Sequence, residues 1–534
     1  MELSASAEPK QSYPLSDQFF FNQVSYTKIE QVIKNMPSNK APGYDKISIN
    51  VLKDCYPHIL STLTGLVNAS FSQEVFPLQW KKAEVIPLHK EGDHEIAVNN
   101  RPISLLPVLS KVTERVALEQ FTDYLIETNK LNKHQSGNRK NHSTETLQLF
   151  LTECIYQSID RKNLTAVILL DLSKAFDSIS HDILLEKLRK FGTSASATVW
   201  FRSYLSERVQ SVRVGQHLSD MQRVTHGVPQ GSILGPLLFN LYVNEISSMC
   251  KDCKIESFVD DSKLFLSFSI CDIAESMNKL NADLKRVAAW CCSNSLLINP
   301  GKTKFLLFGT KQALSKINLP PLQFLGEELT PVRCAKDLGI IMDECLSFTD
   351  HTQNLTSKLM GSLCQISRVQ HLFDKKTLIS IINSLVFSKL YYCSTVWAGT
   401  FKENIKKLQL VQNFAARIIS GKRKFDHISS TIKDLGWLSV QDMLAYRDAQ
   451  MVYKIINGSV PLYLKNFVKR RSDVHNRSTR NSHNLDIPKC RTSFAQRSFG
   501  YRAIKLWNSL PNNVRESTSL NTFKQSLKTW LLNA

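Results

Sequence analysis

The sequence predicts an α+β chain. Three observations carry that prediction. Ala166-Val167-Ile168-Leu169-Leu170 is an aliphatic, partly β-branched run without Gly or Pro, as in a buried strand. Residues 255–259 and 264–268 are apolar-leaning stretches on either side of Asp260-Asp261, which reads as a β-hairpin whose tight turn carries the acidic pair. From 350 to 465, apolar residues recur at helical spacing with little Pro or Gly, so 365–372, 376–391 and 405–419 are expected as packed helices.

The remaining elements follow in order. Residues 1–25 carry little periodicity and are expected to fray. Residues 26–36 read as a short amphipathic helix stopped by Pro37. The stretch 46–160 is expected to be mostly helical, with a β-hairpin from 83–88 and 100–105. Residues 181–191 show helical spacing in Ile183, Leu184, Leu188 and Phe191, with Asp177 or Ser180 as N-cap. His226-Gly227-Val228-Pro229-Gln230-Gly231-Ser232-Ile233-Leu234-Gly235-Pro236 has three Gly and two Pro in eleven residues, which enforces a shaped loop. The run 237–246 then reads as a buried helix, with Pro236 suited to its first turn. Helices are expected over 273–295 and near 522–532, and no internal repeat is present.

The acidic residues suggest chemistry. Asp260-Asp261 is either a solvated turn or a pair of hard oxygen ligands for a divalent cation. Asp171 ends the buried strand, where an ionised carboxylate is costly unless paired or metal-bound. If that strand lies beside the hairpin, three carboxylates converge, and two divalent cations would relieve their repulsion. A two-metal clamp is the usual device for in-line displacement at phosphorus, which points to nucleotidyl transfer. The Gly-rich loop lets backbone approach a nucleotide closely, with Gln230 as a sugar or base contact; the plainer reading is a loop before a helix.

At 534 residues the chain exceeds one ordinary domain, and its 43 % apolar content fits a folded protein. Lys and Arg number 67 against 47 Asp and Glu, a formal charge of +20 that suits a polyanionic partner. Charge alone equally fits a ribosomal, chromatin or membrane-surface protein. The excess is strong late in the chain, where 469–505 holds ten Lys or Arg against Asp473 and Asp486. Arg470, Arg471, Arg477, Arg480, Arg491 and Arg497, with Phe494, Phe499 and Tyr501, suit phosphate contact plus base stacking, or else form a solvated basic linker. No apolar run is long enough to span a bilayer and no secretory signal starts the chain, so no membrane partner is expected. Twelve Cys without a disulfide-framework spacing point to a reducing, intracellular setting. Cys250-x-x-Cys253 lacks a second matching pair, and His475, His483 and Cys490 are loosely spaced, so zinc is not expected. Lys422-Arg423-Lys424 and Lys469-Arg470-Arg471 are too short to assign as nuclear signals.

The strand ending in Asp171 with its following Phe176, the Gly227–Pro236 loop and Phe258-Val259-Asp260-Asp261 together resemble the palm motifs of reverse transcriptases, most closely those of non-LTR (LINE-type, jockey-like) retrotransposons. The resemblance extends to Asn39-Lys40-Ala41-Pro42-Gly43-Tyr44-Asp45, Val85-Ile86-Pro87-Leu88-His89-Lys90, Arg101-Pro102-Ile103-Ser104-Leu105-Leu106 and His134-Gln135-Ser136-Gly137. It continues in Leu297-Ile298-Asn299-Pro300-Gly301-Lys302-Thr303-Lys304 and Asp337-Leu338-Gly339-Ile340. It implies a right-hand polymerase: an N-terminal segment 1–45, fingers 46–160, a palm 161–345 of antiparallel sheet plus helices, a helical thumb and extension 350–465, and a basic C-terminal extension 466–534. The reverse transcriptase domain overall would run from about 75 to 345.

By this resemblance Asp171, Asp260 and Asp261 are catalytic metal ligands for two Mg²⁺ ions, with Mn²⁺ as a substitute. Lys90 and Arg101 grip the triphosphate, Phe176 is the steric gate against a ribose 2′-hydroxyl, and Gln230 and Gly231 contact the nucleotide. Lys302 gives a proton to the leaving pyrophosphate, with Lys304 as a competing candidate. The implied partners are template RNA (the element's own), primer DNA and dNTPs, in a ribonucleoprotein of the nucleus or cytoplasm. No endonuclease motif is read, so insertion would need a nick from another source. Val259, Asn100 and Asn138 depart from the family pattern, and the two Asn are expected to weaken packing in the fingers. Two other readings stand beside the polymerase: a silent or domesticated nucleic-acid-binding relic, and an intron-encoded maturase.

Overall fold

A computed structural model of the chain describes residues 18–90, 92–474 and 484–533. Helix makes up 52 % and strand 15 %, the mixed composition of the α+β class. The chain divides into two compact units. The first gathers the described residues up to Asn138 with Leu172–Cys250 and Arg286–Asn299; the second gathers Arg139–Asp171, Lys251–Lys285 and the described residues from Pro300 onward.

In the first unit, helix Tyr26–Asn35 starts where the Ser25 side chain accepts the Lys28 N–H and ends before Pro37, with Ile29, Val32 and Ile33 as its buried face. The expected hairpin forms: Lys82–His89 runs antiparallel to Asn100–Leu105, with Val85 opposite Ser104. A strand not foreseen from sequence, Arg208–Val214, then pairs parallel to the first hairpin strand and makes the sheet mixed. Its polar letters hid it, because Arg208 and Ser211 are buried positions that no apolar pattern marks. Helices Ile49–Ser72, Val108–Glu127 and Ala195–Leu205 supply an aromatic core of Phe71, Phe121, Trp200, Phe201 and Tyr204. Ser180, rather than Asp177, caps helix His181–Lys190. The buried helix after the Gly-Pro loop, Gly235–Tyr242, is shorter than expected, with Pro in its first turn.

The second unit is built on a four-stranded, wholly antiparallel sheet in the order Lys304–Phe308, Asn163–Leu170, Asp261–Ser269, Lys254–Phe258. Val167, Phe265, Leu306 and Phe308 face a large apolar core shared with helix Thr144–Asp160 and the helices after residue 349. Helix Thr349–Val369 begins well before the expected residue 365. Its first two turns are polar, so apolar spacing does not announce it, and the Asp343 carboxylate turns the chain into it by accepting the N–H groups of Ser347 (2.9 Å) and Phe348 (2.7 Å). The expected 376–391 helix is Lys375–Ile382 continued through a π-turn, Asn383–Phe387.

The basic C-terminal segment is corrected most. Phe499 is 1 % exposed and belongs to the core with Ala503, Ile504 and Trp507 of helix Phe499–Ser509, while Phe494 packs on Tyr156, so neither ring is free to stack on bases. Arg497 lies over Phe401 and Phe494 and donates from Nε to Gly399 O. Arg502 forks onto Asp448 at 2.8 and 3.1 Å. The buried Glu153 carboxylate accepts the Phe499 and Gly500 N–H groups at 2.6 and 3.1 Å, holding the start of this helix. The apolar face of an amphipathic helix was thus read as a stacking surface. Arg477, Arg480, His475 and His483 lie outside the described residues. Among the described residues no helix is long and apolar enough to cross a membrane. All twelve cysteines are free thiols.

Two of these buried acids make stability fall with pH. Burial pushes the Glu153 carboxyl up to about 7 and that of Asp448 up to about 6, against the pull of Arg502 on both. An acid whose folded value is raised binds more protons folded than unfolded, so stability drops as pH rises from the ordinary carboxylate range through those values and is flat above them. We therefore expect a lower Tm at pH 7.5 than at pH 5.5, and a shallower fall for Glu153→Gln, checked by thermal unfolding across that range.

Candidate active site

The strand Asn163–Leu170 runs straight into Asp171, and because Leu170 pairs with Ser262, Asp171 falls beside Asp261 at one end of the sheet. Phe258 pairs with Asp261, so the hairpin loop is only Val259-Asp260. The acidic pair is therefore split: Asp260 lies in the turn and Asp261 opens the strand, a correction to the expectation of both on the tip. A two-residue hairpin needs positive φ at its first loop position. Val259 has φ 58°, an outlier for a β-branched residue that costs of order 1–3 kcal/mol.

Asp171, Asp261, Lys263, Lys302, Lys304 and Asp337 line one cavity of about 110 Å³. Lys302 and Lys304 both reach it, so the sequence's two candidates stay together. Lys263 and Asp337, which the sequence reading did not single out, form an ion pair of 2.7 Å with side chains 1 % and 5 % exposed. A charge inside the apolar strand Ser262-Lys263-Leu264-Phe265 was the available signal. Asp337 ends the strand Cys334–Asp337, which turns through Leu338 and Gly339 into Ile340–Asp343. Gln148 donates to Asp337 O at 2.9 Å and Tyr392 to Leu338 O at 3.0 Å, so this turn is fixed from two sides.

The cavity sets three acids, Asp171, Asp261 and Asp337, among four lysines, 263, 302, 304 and 336. Although Asp261 keeps an exposed edge, the protein around it desolvates its carboxyl and pushes it up to about 6, helped by Asp260, Asp337 and Asp171 and opposed by Lys263. Among the described residues no three His, Cys, Asp or Glu side chains stand at the spacing of a formed metal cage. The donor set still fits a hard dication: carboxylate oxygens only, whose mutual repulsion such an ion relieves.

The remaining predicted residues belong to the first unit. Phe176 is stacked on Phe239, with centroids 4.7 Å apart and planes 21° apart. Gln230 donates from Nε2 to both Asp177 oxygens at 3.0 Å, so its amide is oriented by a carboxylate. Gly231 has φ 133°, and a Cβ there would stand 2.5 Å from Ser104 O; the Ser104 N–H meanwhile donates to Gln230 O at 2.7 Å. The loop is thus zipped to the Asn100–Leu105 strand, and the glycine is required by that contact. At its far end the buried Glu114 accepts the N–H groups of Ile233 (2.7 Å) and Leu234 (3.2 Å) and the Ser110 hydroxyl. Lys90 and Arg101 are both exposed on the hairpin, Arg101 opposite Leu88.

The two Asn departures have defined local geometry. Asn100 donates from Nδ2 to His94 O (2.8 Å) and Ile96 O (3.0 Å), and Asn138 takes φ 55°, a conformation Asn tolerates.

Sheet-end carboxylates and neighbouring lysines are the group types that bind dications and phosphate. Residues 88–339 match the family model described as reverse transcriptase (RNA-dependent DNA polymerase). The chain is 30 % identical over 443 residues to the probable RNA-directed DNA polymerase from transposon BS of Drosophila melanogaster, covering 81 % of this chain and 48 % of that protein. It is 29 % identical to the probable RNA-directed DNA polymerase from transposon X-element of the same fly (78 % and 46 % covered). It is 26 % identical to the RNA-directed DNA polymerase from the fly's mobile element jockey (74 % and 44 %). The chain spans about half the length of these curated relatives. It carries, over residues 88–339, a domain of the reverse transcriptase family, of the type found in jockey and other non-LTR retrotransposons.

Gly231→Ala forces a Cβ against Ser104 O where strand and loop are hydrogen-bonded. We expect it to destabilise the first unit by about 1–3 kcal/mol, seen as a lower Tm, whereas Gly65→Ala, inside helix Ile49–Ser72 with nothing within 4 Å, maintains or raises the Tm.

Proposed function

We propose that the chain is an RNA-directed DNA polymerase of a LINE-type mobile element, adding deoxynucleotides to a primer 3′-hydroxyl on an RNA template. The observation that carries this reading is the meeting of Asp171, Asp261 and the lysines 302 and 304 in one cavity at the end of an antiparallel sheet. Asp171, Asp260 and Asp261 would hold the metal. Two Mg²⁺ ions, or Mn²⁺ in their place, would activate the attacking hydroxyl and neutralise charge developing on the phosphate. Lys302 or Lys304 would place a proton on the departing pyrophosphate oxygen. Lys90 and Arg101 would grip the triphosphate, the one as a point charge and the other as a fork. Gln230 and Gly231 would border the nucleotide, with the Gln230 amide pre-oriented by Asp177. Phe176, braced by Phe239, would fill the space of a ribose 2′-hydroxyl. By this reading the fingers would span 46–160, the palm 161–345, the thumb and extension 350–465 and the basic extension 466–534, and the partners would be the element's RNA, a nicked DNA 3′ end and dNTPs, in a ribonucleoprotein of the nucleus or cytoplasm.

Primer extension tests this. With poly(A) RNA, oligo(dT), dTTP and Mg²⁺, the chain is expected to extend the primer. Asp260→Asn should abolish extension while template–primer affinity stays nearly unchanged, because a metal ligand and not a strand contact is lost. Tight binding without extension by the unaltered chain would instead support the silent relic. Phe176→Ala should admit ribonucleotides, with deoxy-over-ribo selectivity falling on the order of tenfold or more; unchanged sugar selectivity would reject the gate role.

A further inference from the structure

The first unit holds a cavity of about 160 Å³ with a mixed lining, in which Lys81, Arg208, Gln210, Ser104, Asp177 and His226 stand among apolar residues and the Gly227–Gln230 stretch of the Gly-rich loop. That is several times the ~30 Å³ a water molecule occupies in the liquid. Its chemistry is unusual because two cations meet there with little to neutralise them. Lys81 and Arg208 are each 2 % exposed. The nearest acid to Lys81 is Glu207, 3.9 Å away and itself 72 % exposed. Asp177, on the cavity's wall, is engaged with the Gln230 amide.

Arg208 is built into place. Its Nε donates to Tyr204 O at 2.7 Å, and its guanidinium lies over the Tyr204 ring at 4.3 Å and towards Phe76 at 5.7 Å. Neither terminal nitrogen, Nη1 or Nη2, meets an acceptor. A buried guanidinium that stacks on rings and leaves its fork open is expensive in a fold unless something completes it. Burial lowers the Lys81 ammonium below the ordinary lysine range, and Arg208 pushes in the same direction. Two buried cations side by side, with hydroxyl and amide groups around them, are complementary to one tetrahedral oxyanion with several acceptor atoms.

We propose that Lys81 and Arg208 form a phosphate-binding subsite, distinct from the exposed Lys90 and Arg101, and that its occupant is a phosphodiester of the bound template–primer. The identity of the strand rests on the polymerase reading; the anion chemistry does not.

The test uses the full chain and two variants, Lys81→Met and Arg208→Gln. Thermal unfolding is measured with and without inorganic phosphate, and template–primer binding is measured over a salt series. Removing an un-neutralised buried ammonium should leave the Tm of Lys81→Met equal to or above that of the unaltered chain. Its template–primer affinity should fall severalfold and the slope of log K against log salt should shrink by about one phosphate contact. Arg208→Gln should show the same loss of slope if it folds, and Lys81→Met carries the test if it does not. A normal slope, with stabilisation by inorganic phosphate that Lys81→Met abolishes, supports the anion site but assigns it a free phosphate. A lowered Tm for Lys81→Met with affinity, slope and phosphate response all unchanged overturns the proposal and makes the pair a structural cation. Failure of the polymerase reading shows separately, as no primer extension by the unaltered chain while the Lys81- and Arg208-dependent slope and phosphate response remain.

Discussion

Like charges do not gather at the end of a sheet by themselves. Asp171, Asp260 and Asp261 repel one another, and the rest of the second unit is what holds them there. The backbone does most of this: a long antiparallel ladder between Asn163–Leu170 and Asp261–Ser269 fixes Asp171 beside Asp261 whatever their charges prefer. A two-residue loop then forces Asp260 into the turn, and Val259 bears the strain. Lys263 is the counter-charge to Asp261, and its ion pair with Asp337 ties the Asp337–Ile340 turn to the same sheet. Buried ion pairs contribute little net stability, but removing one partner strands the other at a cost of about 3–5 kcal/mol. That makes the pair a register device: the sheet and the turn are held in one relation or the fold loses substantially.

The first unit solves a different problem, that of holding an irregular loop still. Gly227, Gly231 and Gly235 allow backbone to lie against backbone, and the contacts are specific: Gly231 on Ser104, Gly227 on Phe176 and Asp177, and the loop's end on Glu114. One buried carboxylate on helix Val108–Glu127 thereby sets the start of helix Gly235–Tyr242. Phe176 and Gln230 inherit their orientation from this packing, through Phe239 and Asp177. Their positions are products of the loop's architecture, so substitutions at its glycines would reach Phe176 and Gln230 through packing alone.

What could be read from sequence divides along physical lines. Asp171, Asp260 and Asp261 were legible because period-two and aliphatic runs mark strands, and acids at strand ends stand out against them. The hairpin over 82–105 was legible for the same reason. Lys263–Asp337 was not, because partners of a buried ion pair lie far apart in the chain and each alone looks like a surface charge. Strand Arg208–Val214 was hidden because its inward residues are Arg and Ser. Helix Thr349–Val369 was shortened in the reading because its first turns are polar. Phe499 reads as a stacking ring because an amphipathic helix rich in Arg presents the same letters whether its rings face a core or a polynucleotide. Asn100 hydrogen-bonds its own loop and Asn138 uses the left-handed backbone that Asn accepts, local roles that a departure from a family pattern does not announce.

Asp171, Asp260 and Asp261 are proposed to hold two divalent cations at the sheet end. Mn²⁺ titration of the full chain, followed by electron paramagnetic resonance, tests it directly and without any turnover. The account predicts bound Mn²⁺ whose affinity falls more than about tenfold in Asp171→Asn and again in Asp261→Asn, with the Tm of each variant maintained or raised because repulsion is reduced. Mn²⁺ binding by both variants at the strength of the unaltered chain would contradict it.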